Sequence, residues 1–199
     1  MINVNYANKI SILFSGGVES VLIYYLVLQQ DGIKDKILNL YLLDKYNNPL
    51  QDVQKLYLFL KDKFNDNLTT LNIVTYSKDT LEQQKIGITL NDLHTNYDIV
   101  LYGINKYPDD TSIRPAHIYN TFNEESINNL YLKYPNIVLP FIHYTKDKII
   151  KMYYDYKIDN LLPLTLSCGN KKRVCGECFN CKERKWAYEK LKLQTDLGK

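Results

Sequence analysis

Cysteine is absent from the first 167 residues of this chain, and all four cysteines fall within the fourteen residues from 168 to 181. No apolar run approaches the roughly 20 residues needed to span a bilayer. Residues 1–9 show neither the basic start nor the apolar middle of a secretion signal. The expectation is a cytoplasmic protein with no membrane partner. Charge of one sign is also lacking: the net charge is only +3, and the lysines form no stripe, which argues against a nucleic-acid partner. Alanine occurs three times, against 18 tyrosines and many asparagines, lysines and isoleucines. That bias looks like an AT-rich coding sequence and not a functional signal. There is no internal repeat, linker or low-complexity tract, so 199 residues read as one domain, large enough to bury about 70% of its unfolded surface.

Glycine is scarce, at eight residues, yet two of them are adjacent in the run Ile10-Ser-Ile-Leu-Phe-Ser-Gly-Gly-Val-Glu-Ser20. Residues 10–14 are a strand-type apolar run, and a helical pattern starts at Val18. Between them Ser15, Gly16 and Gly17 allow a sharp turn that brings backbone N–H groups close to an anion. The following helix start adds unpaired donors and a partial positive charge, and Ser15 and Ser20 add hydroxyls. The stretch reads as a phosphate cradle. It is not a Walker A loop, because no Gly-Lys-Ser/Thr follows, and it lacks the third glycine of a dinucleotide fingerprint. The plainer alternative is a strand–turn–helix corner in which the glycines only make the turn. Ser-Gly-Gly-Val-Glu-Ser resembles the PP-loop of the ATP pyrophosphatases, Ser-Gly-Gly-x-Asp-Ser, enzymes that split ATP between the α and β phosphates. Glu19 stands where that family has aspartate, one methylene further out.

Further along, residues 18–30 carry apolar side chains at helical spacing. Residues 36–43 predict a second strand, 50–64 a helix and 68–76 a third strand. The stretch 80–93 is ambiguous, with a helix broken around Gly87. Residues 98–103 predict a buried strand ending at a glycine, 126–134 a short helix and 137–139 a short strand. Thr145 caps a helix over 146–156. Alternating strands and helices argue for an α/β, Rossmann-like parallel sheet covered by helices on both faces. In such sheets ligands lie beyond the carboxyl ends of the strands. The 15–20 loop, the segment after Gly103 and the segment after Leu139 all fall there. The expected division is a nucleotide-binding part over 1–160 and a zinc-binding C-terminal segment of the same domain over 161–199.

Cys168, Cys175, Cys178 and Cys181 are spaced C-x6-C-x2-C-x2-C. Thiolates two residues apart on a turn can face one tetrahedral zinc, and a fourth from a loop closes the site. Disulfides are the alternative in an oxidising compartment, and a redox Cys-x-x-Cys pair is another, although it would not need four clustered thiols. His94, His117 and His143 lie far away in sequence. Four sulfur ligands leave no open position for water, so the metal would build structure and not do chemistry.

Several landmarks together resemble the 7-cyano-7-deazaguanine synthase (QueC) family. Thr165-Leu-Ser-Cys168, Cys175-Gly-Glu-Cys178-Phe-Asn-Cys181 and Arg184 are similar to its Thr-x-Ser-Cys and Cys-Gly-x-Cys-x-x-Cys-x-x-Arg tail. Pro140 and Thr145-Lys146-Asp-Lys-Ile are similar to its Pro…Ser/Thr-Lys-x-x-Ile stretch. Gly103-Ile-Asn105, Asp109, Asp110 and Arg114-Pro115 are similar to its Gly-Val-Asn…Asp…Arg-Pro segment. Two motifs differ: residues 43–49 replace its Tyr-Gly-Gln-Arg-His, and residues 85–96 hold no Pro-Gly-Arg-Asn.

The resemblance implies an adenine nucleotide alpha hydrolase-like fold and an ATP-dependent ligase. Such an enzyme adenylates 7-carboxy-7-deazaguanine and converts it with ammonia to the amide and then to the nitrile, releasing AMP and pyrophosphate. It implies that Ser15, Gly16, Gly17, Val18, Glu19, Ser20 and Gly103 hold ATP phosphates, that Glu19 and Lys146 are catalytic, and that Asp109, Asp110 and Arg114 meet the deazaguanine substrate. It further implies one structural zinc on the four cysteines, magnesium with ATP, and a homodimer. Two rivals stay open. One is a divergent relative that activates another carboxylate or conjugates a deazaguanine to a macromolecule. The other is an inactive nucleotide-binding module in which Glu19 only complements the positive end of the helix dipole.

Overall fold

The protein is described by a computed structural model covering residues 2–43, 50–77, 80–110, 112–113, 124–168 and 174–195. Arg114, His117 and most of the 43–49 segment lie outside the described residues.

Five strands form one parallel sheet: β1 (Lys9–Leu13), β2 (Ile37–Leu43), β3 (Thr70–Val74), β4 (Ile99–Tyr102) and β5 (Ile137–Val138). Their order is β3-β2-β1-β4-β5. Side chains alternate across each strand, and both faces are apolar, as a sheet covered on both sides requires. Ile10, Ile12, Leu38, Leu40, Leu42, Ile99 and Leu101 belong to one core, with helices α1 (Val18–Leu28) and α2 (Leu50–Lys63) packed on it. Helices α5 (Lys146–Asp155) and α6 (Phe179–Lys190) extend that core through Ile149, Ile150, Tyr153, Ala187 and Tyr188. Leu13, Val100 and Ile137 face the second core, closed by α3 (Glu82–Asn96) and α4 (Glu124–Lys133).

β1 lies beside β4, and the helices that follow them, α1 and α4, pack on opposite faces of the sheet. That is the switch point at which open parallel sheets have a crevice. The 15–20 loop and Gly103 both sit there. Helix α1 is buried nearly all round, with Val18, Ser20, Val21, Leu22, Ile23, Tyr24, Leu26 and Val27 inside. Tyr153 of α5 donates a hydrogen bond to the Val18 carbonyl at 2.6 Å, fixing the start of α1 against α5.

The sequence predicts a broken helix around Gly87, whereas α3 runs through it without interruption. Glycine in a helix costs only about 1 kcal/mol. Burial of Leu90 and Leu93 against the second face outweighs that, and the Tyr134 hydroxyl donates to the Gly87 carbonyl at 3.2 Å. No helix among the described residues is long and apolar enough to cross a membrane.

The turn from α2 into β3 is organised by Asp66. Its carboxylate accepts from the backbone N–H groups of Leu68 (2.9 Å) and Thr69 (3.1 Å) and from the buried Tyr24 hydroxyl. Burial pushes the carboxyl up, but the hydrogen bonds from Thr69, Tyr24 and Leu68 outweigh it and hold it below its ordinary value. A depressed carboxyl contributes stability above its unfolded value, and that stability is lost as pH falls through the folded value. Asp66→Asn should therefore destabilise the protein at pH 7 by about 1–3 kcal/mol. The difference from wild type should shrink in acid. Denaturant midpoints of both proteins between pH 7 and pH 3 test this.

Candidate nucleotide site and metal centre

Gly16 adopts φ +74°, a left-handed conformation that side-chain-bearing residues rarely take. It turns the chain from β1 into α1, whose N-cap, Gly17, offers no capping side chain. The first amides of α1 therefore keep their donor capacity at the positive end of the helix. Ser15 and Ser20 close the loop. Ser20 Oγ lies 3.3 Å from Ser15 Oγ, accepts from the Ser15 N–H at 3.3 Å and donates to the Gly17 carbonyl at 3.2 Å. Across the loop, the Leu166 N–H donates to the Gly16 carbonyl at 2.8 Å, so the segment leading into the cysteines rests on the loop.

A small open cleft of about 50 Å³ lies above the strand ends, lined by Leu13, Phe14, Ser15, Ser20, Tyr41, Leu42, Leu43, Ile86, Tyr102 and Gly103. It combines an apolar and aromatic wall with a polar loop at one end, the pattern of a small-molecule site. Gly103 ends β4 directly against α1: a Cβ there would fall 2.8 Å from Glu19 Cβ and 3.4 Å from the Ser20 amide nitrogen.

Beside the loop, Lys146, the first residue of α5, is clamped between two carboxylates. Its Nζ pairs with Glu19 Oε1 and lies 3.3 Å from Glu183 Oε2 on α6. Asn105 donates to the other Glu183 oxygen at 2.8 Å. The side chains of Lys146, Glu19 and Glu183 are 7%, 13% and 2% exposed. Burial disfavours the Lys146 ammonium, yet Glu183 and Glu19 together outweigh it and raise its pKa above the ordinary value. Burial pushes the Glu183 carboxyl up, opposed by Lys146 and reinforced by Glu19.

The four cysteine sulfurs lie within 4.8 Å of one another. Cys175 to Cys181 and Cys168 to Cys178 are each 3.9 Å. Backbone N–H groups of Cys178 and Glu177 lower the Cys175 thiol to about 6, favouring the thiolate that binds metals. Burial pushes the Cys181 thiol up to about 12. One charged ion at the centre of this group supplies the positive charge that the crowded sulfurs lack, so the residues fit a metal. On the far side of the cluster, Arg184 is 2% exposed and donates to the carbonyls of Leu162 (2.5 Å) and Thr165 (3.3 Å) and to Ser167 Oγ (2.8 Å).

The structure thus brings Ser15, Gly16, Gly17, Val18, Glu19, Ser20, Gly103 and Lys146 to one place, with the four cysteines as a second group joined to it by α6. Asp109 and Asp110 stand apart: Asp109 pairs with Lys106 at 3.5 Å on the surface, and Asp110 accepts from Ser112. Neither lines the cleft. His94 contacts Asn136 at 3.3 Å and is not part of the sulfur group. Sequence reasoning missed Glu183. Its signal was available: it lies four residues before Ala187 and beside Arg184, on the buried stripe of a helix.

Residues 93–192 match the family model described as "Queuosine biosynthesis protein QueC". The match runs from the end of α3 through α6 and holds Gly103, Lys146, Glu183 and all four cysteines. Among solved structures, the fold is similar to "U34-tRNA thiolase NcsA from Methanococcus maripaludis with its [4Fe-4S] cluster", with a TM-score of 0.54 and 15% identity, over 92% of this chain and 67% of that one. At that identity the likeness is one of fold. No curated protein matches the chain. A parallel sheet of order β3-β2-β1-β4-β5, a cradle at its switch point and a four-cysteine tail accord with the family match, and the chain belongs to the queuosine biosynthesis protein QueC family.

Proposed function

We propose that the protein is an ATP-dependent carbon–nitrogen ligase that adenylates 7-carboxy-7-deazaguanine and, with ammonia, converts it to the amide and then to the nitrile. AMP and pyrophosphate are the products of each activation. The observation that carries this reading is the loop at the switch point: uncapped α1 amides, two serine hydroxyls and the Glu19–Lys146 pair converge within one small region.

The substrate carboxylate oxygen attacks the α-phosphorus of ATP, and the bond to the β-phosphate oxygen breaks. Ammonia then displaces AMP from the acyl carbon. The amide oxygen takes a second adenylyl group, whose departure with loss of protons leaves the nitrile. The amides of residues 18–20 and the hydroxyls of Ser15 and Ser20 hold the departing pyrophosphate, while the Lys146 ammonium offsets charge growing on it. The apolar cleft walls keep water from the activated carboxyl. Glu19, with the two hydroxyls, offers the oxygen donors that magnesium prefers, and that ion supplies further charge neutralisation on the phosphates.

The tail metal in this reading is one zinc. A tetrahedral zinc with bonds of about 2.3 Å has sulfur–sulfur edges of about 3.8 Å, close to the two 3.9 Å pairs here. A cluster with one iron per thiolate sets its sulfurs further apart than a single ion does, so the 4.8 Å spread of the four sulfurs supports the zinc reading.

Incubating the protein with ATP, ammonia and 7-carboxy-7-deazaguanine should yield AMP, pyrophosphate and the nitrile by mass spectrometry; ADP and phosphate would rule the reading out. Ser15→Ala should reduce turnover. Gly17→Val should reduce it about 10²-fold, because a Cβ at Gly17 already meets Ser15 Oγ at 3.2 Å and the Leu166 carbonyl at 3.3 Å. Melting temperature should change little in the serine variant.

A second reading keeps the ATP chemistry and changes the acceptor. It is favoured by α3, which is a continuous helix where the family's Pro-Gly-Arg-Asn motif would lie, and which presents Ile86 to the cleft. AMP release with a different carboxylate in an acceptor panel, and none with 7-carboxy-7-deazaguanine, would select it.

A further inference from the structure

We infer that Glu183 is a positioning residue: it is the second counter-charge that holds Lys146 while Glu19 turns to a divalent cation on ATP. This rests on the nucleotide reading above and adds to it a role for a residue of the metal-bearing helix.

The geometry makes the need specific. Lys146 is a buried ammonium with two carboxylate partners, Glu19 and Glu183. Glu19 stands in the first turn of α1 at the phosphate loop, with its other oxygen, Oε2, 3.6 Å from where a Cβ on Gly17 would lie. A cation bound with ATP competes with Lys146 for that carboxylate. If Glu19 were the sole partner, engaging the cation would leave a buried ammonium uncompensated, which is strongly unfavourable. Glu183 removes that conflict. Asn105 donates to its Oε1 at 2.8 Å, which turns Oε2 toward Lys146 at 3.3 Å. Its helix is fixed in rotation by Cys181 on one side and by the Arg184 hydrogen bonds on the other. Lys146 therefore has an anchor that does not depend on the state of Glu19.

The consequence is selective. Without Glu183, Glu19 is held by Lys146, and the cation must displace it. Glu183→Gln should raise the magnesium concentration that half-saturates ATP binding by about 10–100-fold, the usual effect of removing a partner that orients a metal ligand. ATP binding without added magnesium should stay within about twofold of wild type, because the loop amides are untouched. Glu183→Asp should recover part of the magnesium response, and Asn105→Ala should shift it in the same direction by less.

Isothermal calorimetry with ATP across a magnesium series that starts from none added reads this directly, with tail-metal content and melting temperature measured on each protein. An unchanged magnesium midpoint in Glu183→Gln with the tail metal retained overturns the inference. So does an equal loss of binding with and without magnesium, which marks a general structural role. Should Glu183→Gln not fold, the Asn105→Ala midpoint decides in the same way. Wild-type protein that binds no ATP under any condition overturns the nucleotide reading itself, a result distinct from the other two.

Discussion

Cys178→Ser should strip the C-terminal metal, lower the melting temperature and abolish pyrophosphate release together. The substitution isolates the thiolate. Cys178 is the N-cap of α6, and serine is among the best N-caps, so helix initiation is preserved while the metal ligand is lost. Metal binding in such sites is folding free energy. Loss of even about 3 kcal/mol corresponds to a fall of roughly 6–12 °C in a domain of this size. Activity goes with it because α6 also carries Glu183 to Lys146, and Arg184 to the 162–167 segment. That segment in turn bonds the phosphate loop through Leu166 and Gly16. Metal analysis of wild type should find about one zinc per chain and the variant well below it. A variant with no metal but full melting temperature and turnover would sink this coupling.

Gly103→Ala should disable the nucleotide site with a single methyl group. The added Cβ would lie 2.8 Å from Glu19 Cβ, an atom fixed to the backbone of α1 that no rotamer change can move. Either the end of β4 or the first turn of α1 must shift by several tenths of an ångström. Overpacking of this kind costs about 1–3 kcal/mol, and the displaced loop should lose about 10²-fold in turnover. ATP affinity and melting temperature on the purified variant test both halves. Unchanged affinity would mean that the close approach does not set the loop geometry.

Much of the site was legible in the chain because its signals are local. Gly16-Gly17 between a strand and a helix, flanked by Ser15 and Ser20, defines a tight glycine turn at the head of α1 from backbone requirements alone. The cysteine spacing defines a metal site because ligands two residues apart on a turn converge by geometry. The strands were legible through short apolar runs, and their ends lie within two residues of the expected ones on most elements. Gly87 misled because glycine is a weak breaker once Leu90 and Leu93 bury their helix. Asp109 and Asp110 are implied by resemblance alone to meet the substrate, and in the structure their visible partners are Lys106 and Ser112.

The sequence by itself determined the α/β alternation, the glycine turn between β1 and α1 and the set of thiols, since each depends on residues a few positions apart. Only the tertiary structure decided what surrounds them. Glu19 and Lys146 are 127 residues apart along the chain, and nothing in local pattern pairs them with each other or with Glu183. Their meeting follows from α5 and α6 packing on the same face of the sheet as α1. Burial there makes each charge depend on the others, because an ammonium removed from water is tolerated only beside its carboxylates.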